Sequence, residues 1–347
     1  MKKAFRALTE RKLLRLLKKP KSTLILFHRK PDADALGSAL ALAELLTQMG
    51  SPVLCACPSP LPERLAFLLP KEEDSALSAL LPTAPVVAFG KEEIPAGFLP
   101  ERILSVDSAS PTQLGDLYPL YDGKITCMID HHASGTPYAD HYILPDAAAT
   151  GEILFDLAKK LKKAKKIHFT QSLCDSLYAA ISSDTGGFRF ANTTPATHRH
   201  AAELIELGAR ASEINHSLFD SKSKKQLLAE SAAAANLETY LDGKVSVVPF
   251  PFELKKTLDL ADEHLETLVD IARSLASAKI ALAVRQPTED KTFWVSARSS
   301  CDFDVASLCE NFGGGGHKRA AGCNFAAENM KDAIEKLISK IDPNKLN

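Results

Sequence analysis

The chain has 347 residues, of which 45% are hydrophobic and 24% are charged. This composition excludes a disordered protein, and the length favours two domains over one. Lysine and arginine total 42 against 43 aspartates and glutamates, which gives a formal net charge of -1 at pH 7. A near-neutral chain lacks the strongly basic field of proteins that coat long nucleic acid, whereas a small anionic substrate remains compatible with a local site.

The cysteines and the amino terminus bear on the cellular compartment. The seven cysteines are an odd number and show no paired metal-ligand spacing, which predicts reduced thiols in a cytoplasm. Residues 1–20 carry basic residues throughout and only short apolar patches, which is typical of neither a signal peptide nor a membrane span. We therefore expect a cytoplasmic protein with no membrane partner.

Short apolar runs alternate with helical segments in the first part of the chain. The strand-like runs are residues 23–27, 53–56, 86–89, 103–106 and 125–129. Apolar residues three and four positions apart predict helices over residues 37–49, 150–161, 171–181 and 195–207. Unbroken apolar strands are typical of a buried, mostly parallel sheet. The sequence thus predicts a larger amino-terminal α/β domain with a parallel sheet over residues 1–210.

A helical connector and a second domain are predicted next. Residues 211–240 contain strong helix formers and neither glycine nor proline, which indicates a helical connector rather than a flexible linker. In the remaining residues, 241–347, strand-like runs alternate with helical stretches. The strand-like runs are residues 245–250, 279–284 and 293–298. We expect a smaller α/β carboxyl-terminal domain there.

Carboxylates and imidazoles follow the strand-like runs of the first domain. These candidate metal-site residues are His28, Asp32, Asp34, Asp107, Asp130, His131, His132 and Asp184. Because the carboxyl ends of parallel strands meet at one edge of a sheet, most of these side chains could converge there. Oxygen donors combined with imidazoles favour Mn²⁺ or Mg²⁺, whereas a structural zinc site would more often use thiolates.

Single residues of this set have ordinary explanations. Asp107 could be a turn residue at a strand end, and Asp184 could form an Asx turn with the residues after it. Adjacent histidines after a buried strand are harder to explain by packing. The joint pattern predicts two metal ions held by a bridging carboxylate, which can acidify a water molecule and neutralise charge developing on phosphorus. The sequence thus predicts a two-metal phosphoesterase.

A glycine-rich motif is the main feature of the second domain. Residues 312–322 read FGGGGHKRAAG, and the arginine-serine pair 298–299 precedes them. A permissive connector is the ordinary explanation of a glycine run. Here, unshielded backbone amides and nearby side-chain donors could hold an anionic nucleotide. The candidate substrate-binding residues are Arg298, Ser299, Gly314, Gly315, Gly316, His317 and Arg319.

The two motif sets together resemble a known family. The triplet Asp130-His131-His132, the segment from His28 to Asp34, and the isolated Asp107 and Asp184 occur in the order found in the DHH phosphoesterases. This resemblance spans nearly the whole chain. The glycine-rich motif resembles the carboxyl-terminal domain associated with that family, which identifies the oligoribonuclease and RecJ-type branches. A manganese-dependent inorganic pyrophosphatase would carry a different second domain.

The resemblance implies a role for each residue of the metal site. The implied ligands are His28 and Asp32 for one ion, Asp34, His131 and Asp184 for the other, and Asp107 for both. Asp130 would orient His131, and His132 would face the scissile phosphate. Asp107, Asp130 and His132 are thus the expected catalytic residues. Two Mn²⁺ ions are expected, with Mg²⁺ or Co²⁺ as alternatives.

The compact length and the residues around the fourth motif most resemble the bacterial oligoribonucleases (nano-RNases) that also dephosphorylate 3′-phosphoadenosine 5′-phosphate (pAp). The resemblance implies hydrolysis of di- to pentanucleotides, and a homodimer formed through the first domain. Three positions depart from the usual motifs, namely Ala33, Ser108 and Gly187. None of them removes an expected ligand, but Gly187 stands where an arginine is common and leaves the substrate preference open.

Three alternative functions remain open on the sequence. One is a phosphodiesterase for cyclic or linear dinucleotides such as c-di-AMP, pApA or pGpG. Another is a RecJ-like exonuclease for single strands, against which the modest aromatic content argues. The non-enzymatic alternative is a nucleotide sensor, which is disfavoured because every expected metal ligand is present.

Overall fold

The computed structural model describes residues 5–69 and 86–346 and divides the chain into two compact units. The first unit is Met1–Ser221 and the second is Lys222–Asn347. The division falls inside residues 211–240, the segment that the sequence assigns to a connector. The boundaries 1–210, 211–240 and 241–347 therefore stay a prediction.

The first unit is built on a parallel sheet. Its described strands are β1 (Thr23–Leu26), β2 (Val53–Cys57), β3 (Val86–Phe89), β4 (Arg102–Val106), β5 (Cys127–Asp130) and β6 (His141–Ile143). Their order across the sheet is β3-β2-β1-β4-β5-β6, and all neighbouring pairs are parallel. Apolar side chains pack on both faces, with Ile25 and Leu104 in one cluster and Leu24 and Ile103 in the other. Burial on both faces explains the unbroken apolar runs.

Helices cover this sheet. The described helices of the first unit are α1 (Glu10–Leu17), α2 (Ala33–Gln48), α3 (Leu117–Tyr121), α4 (Thr150–Lys163), α5 (Gln171–Asp184), α6 (Pro195–Glu206) and α7 (Ala211–Asn215). Glycines allow α2, α4 and α5 to approach closely. A Cβ atom at Gly37 would lie 2.4 Å from the Ser176 carbonyl oxygen, and one at Gly151 would lie 2.4 Å from Ala180 Cβ. Close packing of this kind leaves α2 buried on nearly all sides.

The second unit has a mixed sheet. Its described strands are β7 (Glu238–Tyr240), β8 (Val245–Phe250), β9 (Ile280–Arg285), β10 (Thr292–Ser299), β11 (Gly315–His317) and β12 (Ala320–Ala326). The order is β11-β12-β10-β9-β8-β7, and only the β8–β9 pair among them is parallel. The helices described here are α8 (Lys224–Ala235), α9 (Phe252–Thr257), α10 (Leu268–Arg273), α11 (Val305–Glu310) and α12 (Met330–Ile338).

The predicted α/β class is confirmed in both units, with a parallel sheet in the first. The sequence missed β6, because this three-residue edge strand is only partly buried and contains His141. It also treated the glycine run as a loop, whereas residues 315–317 form a strand of the second sheet. Across the described residues, the helices all lack the length and apolar character needed to span a membrane.

Candidate metal centre

The parallel sheet brings the predicted metal-site residues of the first unit to one edge. β1, β4 and β5 are neighbours, and His28, Asp107 and His131 lie just beyond their carboxyl ends. Two helices supply further carboxylates. Asp32 is the N-cap of α2, with Asp34 in its first turn, and Asp184 is the last residue of α5. The loops that follow parallel strands thus meet helix ends at this edge.

Three overlapping groups of these side chains could each hold a metal ion. In each group the potential ligand atoms lie within 4.8 Å of one another. The groups are His28, Asp32 and Asp107; Asp34, His131 and Asp184; and Asp107, His131 and His132. Together they contain all six predicted ligands, and the third group adds His132. The division of these ligands between two ions stays a prediction. Carboxylate and imidazole donors without thiolate fit hard or borderline divalent ions.

Asp107 lies between the groups and presents one carboxylate oxygen to each side. Its Oδ2 is 3.6 Å from His28 Nε2, whereas its Oδ1 is 3.7 Å from His131 Nε2 and 3.6 Å from His132 Nδ1. The backbone of Asp107 has a left-handed φ of 51°, and its N–H donates to the carbonyl of Ile129 on β5. This turn directs a carboxylate that is only 2% exposed into the centre of the site.

The charges and the buried imidazole nitrogen of the site fit a bound cation. His131 Nε2 is buried without a hydrogen-bond partner among the described residues, although Asp184 Oδ2 lies 3.1 Å away and Asp34 Oδ2 lies 3.9 Å away. Burial, reinforced by the charge of Asp107, raises the pKa of Asp34, and burial raises the pKa of Asp184 to about 6. A divalent ion among these groups would satisfy the imidazole nitrogen and neutralise the carboxylates, so the residues fit a metal site.

Asp130 contacts His132 rather than the ring of His131. Asp130 Oδ1 lies 2.7 Å from His132 Nδ1, and it accepts hydrogen bonds from the backbone N–H groups of His131 and His132 at 2.7 and 3.1 Å. The ring of His131 is instead set by the Ala147 carbonyl, 3.2 Å from His131 Nδ1. Asp130 thus contacts the backbone of His131 and not its ring, and the expectation that Asp130 orients His131 stays a prediction.

Burial lowers the pKa of His132, but its hydrogen bond to Asp130 and the charges of Asp107 and Asp130 outweigh this effect and leave the pKa raised. The ring is 21% exposed. His132 thus combines a fixed Nδ1 side with access to solvent, which suits a residue that contacts a substrate.

The start of α4 is a part of the site that the sequence did not indicate. The backbone N–H groups of Thr150 and Gly151 donate to the two carboxylate oxygens of Asp34, at 2.7 and 2.9 Å. The Thr150 hydroxyl donates to Asp107 Oδ1 at 3.0 Å. The sequence predicted a helix from this residue. A threonine followed by glycine after three alanines was the available signal, but it does not reveal which carboxylates the helix meets.

The candidate side chains of the second unit differ in exposure. Arg298 and Ser299 are successive residues of β10, so their side chains lie on opposite faces of the sheet. Arg298 is partly buried, whereas Ser299 is 8% exposed and its hydroxyl donates to the Cys301 carbonyl. The side chain of Arg319 is 46% exposed and lies 3.7 Å from Asp302 Oδ1. Arg298 and Arg319 are thus better placed than Ser299 to contact a ligand.

The glycine motif forms a hairpin edge. A Cβ atom at Gly314 would lie 2.4 Å from Cys323 Cβ, whereas one at Gly315 would meet no atom within 4 Å. Gly316 has a φ of 147°, which few other residues adopt. The description covers the backbone of His317 and not its side chain. Its backbone pairs with Ala320 of β12, which in turn pairs with Arg298 of β10.

Comparisons with known proteins agree with this geometry. Residues 22–181 match the DHH family, N-terminal domain, and residues 249–342 match the DHHA1 domain. These matches identify a DHH domain within the first unit and a DHHA1 domain within the second. The DHH match, together with the site, indicates a hydrolase that acts on phosphoester bonds.

Relatives extend over most of the chain. The bifunctional oligoribonuclease and PAP phosphatase NrnA of Thermus thermophilus is 28% identical over 316 residues, covering 90% of this chain and 87% of the relative. The protein of the same name from Bacillus subtilis is also 28% identical, covering 90% and 92%. The solved structure of an exopolyphosphatase-related protein from Bacteroides fragilis matches with a TM-score of 0.84 and 20% identity, covering 98% and 99%. This last likeness shows a shared fold.

Proposed function

We propose that the protein hydrolyses short oligoribonucleotides to mononucleotides and dephosphorylates 3′-phosphoadenosine 5′-phosphate to AMP. The proposal rests on the position of Asp107. This residue presents one carboxylate oxygen to His28 and the other to His131, which belong to different groups of potential metal ligands. The names of the Thermus thermophilus and Bacillus subtilis relatives support the choice of substrates. The donor set and its spacing support two divalent ions, with Mn²⁺ preferred.

The six ligands divide between two metal positions that share Asp107. His28 and Asp32 serve one position, and Asp34, His131 and Asp184 serve the other. When bound, the two ions supply Lewis acidity that activates water and neutralises charge on the phosphoryl group. Asp130 is in none of the three groups, which supports a role outside the ligand set.

His132 is the residue that we assign to contact the scissile phosphate. Asp130 fixes its ring through the 2.7 Å contact with Nδ1 and holds the proton on that atom. The opposite edge of the ring can then donate or accept a hydrogen bond at a reacting oxygen. The two residues act as an orienting pair, with the carboxylate stabilising a positive charge on the imidazole.

In the second unit, Arg298 and Arg319 are the proposed partners of the substrate phosphate or base, together with His317 and the amides of residues 314–316. Arg298 is partly buried on the sheet beside small residues, since Ala281 and Ala320 flank it on the adjacent strands. The guanidinium is the group at this position that can pair with a planar or anionic ligand. Ser299 has its hydroxyl bonded to the backbone and is the weakest member of the predicted set.

The proposal is tested by turnover of the purified chain with Mn²⁺ on a set of substrates. The set contains pAp, pApA, c-di-AMP, a pentamer and a 24-nucleotide RNA, and pyrophosphate. Asp107→Asn serves as the control, because it keeps the side-chain shape and removes the shared charge. We expect pAp, pApA and the pentamer to be cleaved fastest, and Asp107→Asn to lose at least about 100-fold in kcat.

Other outcomes would direct the proposal elsewhere. Preference for the 24-nucleotide RNA would indicate a RecJ-like exonuclease, and preference for c-di-AMP would indicate a cyclic dinucleotide phosphodiesterase. Tight pAp binding without turnover on any metal would indicate a sensor. The homodimer and the cytoplasmic location also stay proposals, which light scattering and cell fractionation would test.

A further inference from the structure

Thr150 donates hydrogen bonds to two carboxylates of the candidate metal site, those of Asp34 and Asp107. It is fully buried. Its backbone N–H donates to Asp34 Oδ2 at 2.7 Å, and its hydroxyl donates to Asp107 Oδ1 at 3.0 Å. Asp34 belongs to the group with His131 and Asp184, whereas Asp107 belongs to the other two groups. A single residue therefore fixes two carboxylates that come from α2 and from the end of β4.

Thr150 does not use its hydroxyl in the way that a residue at a helix start usually does. Ser and Thr near a helix start commonly cap its free N–H groups. α4 has Ala149 at its N-cap position and no side-chain cap bond. Its first N–H groups are satisfied by the carboxylate of Asp34 instead. The Thr150 hydroxyl is thus directed to Asp107 alone among the described acceptors.

Asp107 is a side chain whose orientation has to be fixed. In the observed orientation, Oδ2 faces His28 and Oδ1 faces His131. A quarter-turn of the carboxylate plane would turn both oxygens away from these contacts. The bond from Thr150 favours this orientation, because both side chains are buried and the hydroxyl donates to this oxygen. Removing the hydroxyl would leave Oδ1 without this fixed donor.

We propose that Thr150 is a positioning residue. Its hydroxyl sets the orientation of Asp107 and so determines the metal affinity of the two positions that share Asp107. The inference rests on the proposed metal-dependent function. It adds a residue outside the ligand set on which metal affinity depends. Outer hydrogen-bond partners of this kind typically change metal affinity by about 10–100-fold.

The test compares Thr150→Val and Thr150→Ser in the full chain after removal of metal with a chelator. Valine keeps the shape and loses the hydroxyl, whereas serine keeps the hydroxyl. Mn²⁺ binding is measured by isothermal titration calorimetry, and folding is checked by circular dichroism. We expect Thr150→Val to lower the affinity for at least one equivalent of Mn²⁺ by about 10–100-fold. Thr150→Ser should keep a Mn²⁺ affinity within a few-fold of that of the parent chain.

Thr23→Val is the matched control. Thr23 is also a fully buried threonine of the first unit, and its hydroxyl contacts the Lys21 carbonyl and Arg102 away from the metal site. We expect this variant to lose stability without losing Mn²⁺ affinity. If Thr150→Val does not fold, Thr150→Ala takes its place against Thr150→Ser.

Unchanged Mn²⁺ affinity in Thr150→Val would overturn the inference, and so would equal losses in the valine and serine variants. Either result would leave the proposed function intact if the parent chain binds Mn²⁺ and cleaves pAp. Absence of Mn²⁺ binding by the parent chain would instead overturn both. Weaker binding in Thr150→Val with rescue by serine would support the inference.

Discussion

His132 Nδ1 lies 2.7 Å from Asp130 Oδ1, and the same oxygen accepts the backbone N–H groups of His131 and His132. The middle residue of the triplet thus turns its ring toward the carboxylates of the metal groups, while the last one is bound to the first. This arrangement gives the two adjacent histidines different partners, which supports the proposed roles of His131 as a ligand and His132 as a substrate contact. Their residue type alone does not distinguish these roles, which came from the family resemblance.

Asp130→Asn should separate catalysis from metal binding. The amide can still accept the two backbone N–H groups, but it no longer carries the charge that stabilises a positive His132 ring. We expect kcat on pApA to fall by about 100-fold, with Mn²⁺ affinity within a few-fold of the parent chain. Steady-state kinetics and calorimetry measure the two quantities. A loss of Mn²⁺ affinity as large as in Asp107→Asn would contradict the assignment of Asp130 outside the ligand set.

Metal removal should loosen the first unit selectively, because every proposed ligand lies in Met1–Ser221. At a free Mn²⁺ concentration of 100 times Kd, binding to the folded state adds about 2.7 kcal/mol to the free energy of unfolding. Amides that exchange only when the site opens should then exchange about 100-fold more slowly than in the presence of a chelator. Hydrogen exchange with mass spectrometry would follow peptides from residues 127–130 and 150–163.

Peptides from residues 245–250 of the second unit provide the internal reference for that experiment, and Asp107→Asn provides the variant control. Equal protection of both units by Mn²⁺ would show that the metal acts elsewhere or on the whole chain. Protection of the first unit that survives in Asp107→Asn would remove the shared carboxylate from the proposed site.

Gly37→Ala should destabilise the packing of α2 on α5. A Cβ atom at Gly37 would lie 2.4 Å from the backbone oxygen of Ser176, which cannot move without displacing a helix. We expect a loss of about 1–3 kcal/mol in the free energy of unfolding. Gly97→Ala is the control, since its Cβ atom would meet nothing within 4 Å. Urea unfolding measures both, and equal effects would rule out helix contact as the cause.

His200 should give the first unit a pH-dependent stability. Its ring lies 2.9 Å from Glu152 and 3.3 Å from Asp156, and hydrogen bonds to Asp156 and Glu152 raise its pKa from 6.5 to about 9. Because the pKa is raised on folding, this stabilisation is complete below pH 6.5 and is lost as the pH rises through 9. Burial alone would raise the pKa values of Glu152 and Asp156, but their interactions with His200 leave both pKa values lowered. The stabilisation that comes from these two carboxylates is therefore lost only at acid pH.

We therefore expect His200→Gln to lower the free energy of unfolding by about 2 kcal/mol at pH 6 and by much less at pH 10. Urea unfolding at the two pH values measures this difference. His168→Gln, at an exposed histidine of the same unit, is the comparison variant. A constant loss at both pH values would assign the effect to packing of the ring against Phe155.

Much of the first unit could be predicted because its strands are buried on both faces and so appear as unbroken apolar runs. The eight metal-site residues could be found because each follows a strand or belongs to a recognisable motif. β6 could not, since a short and partly exposed edge strand has no such pattern. The contacts of Asp130 and Thr150 were missed because they depend on how the backbone turns after β5 and before α4. Neither turn leaves a periodic signal.

The carboxylate of Asp34 stands at the amino-terminal end of the 14-residue helix α4, where it accepts two backbone N–H groups, and a third bond comes from the Ser38 hydroxyl. The partial positive charge of a helix start offsets some of the repulsion among the clustered acids even before a cation arrives. The start of α4 therefore supplies part of the positive charge that this acidic cluster needs when the chain folds. The rest of the charge balance falls to the cation that the site fits.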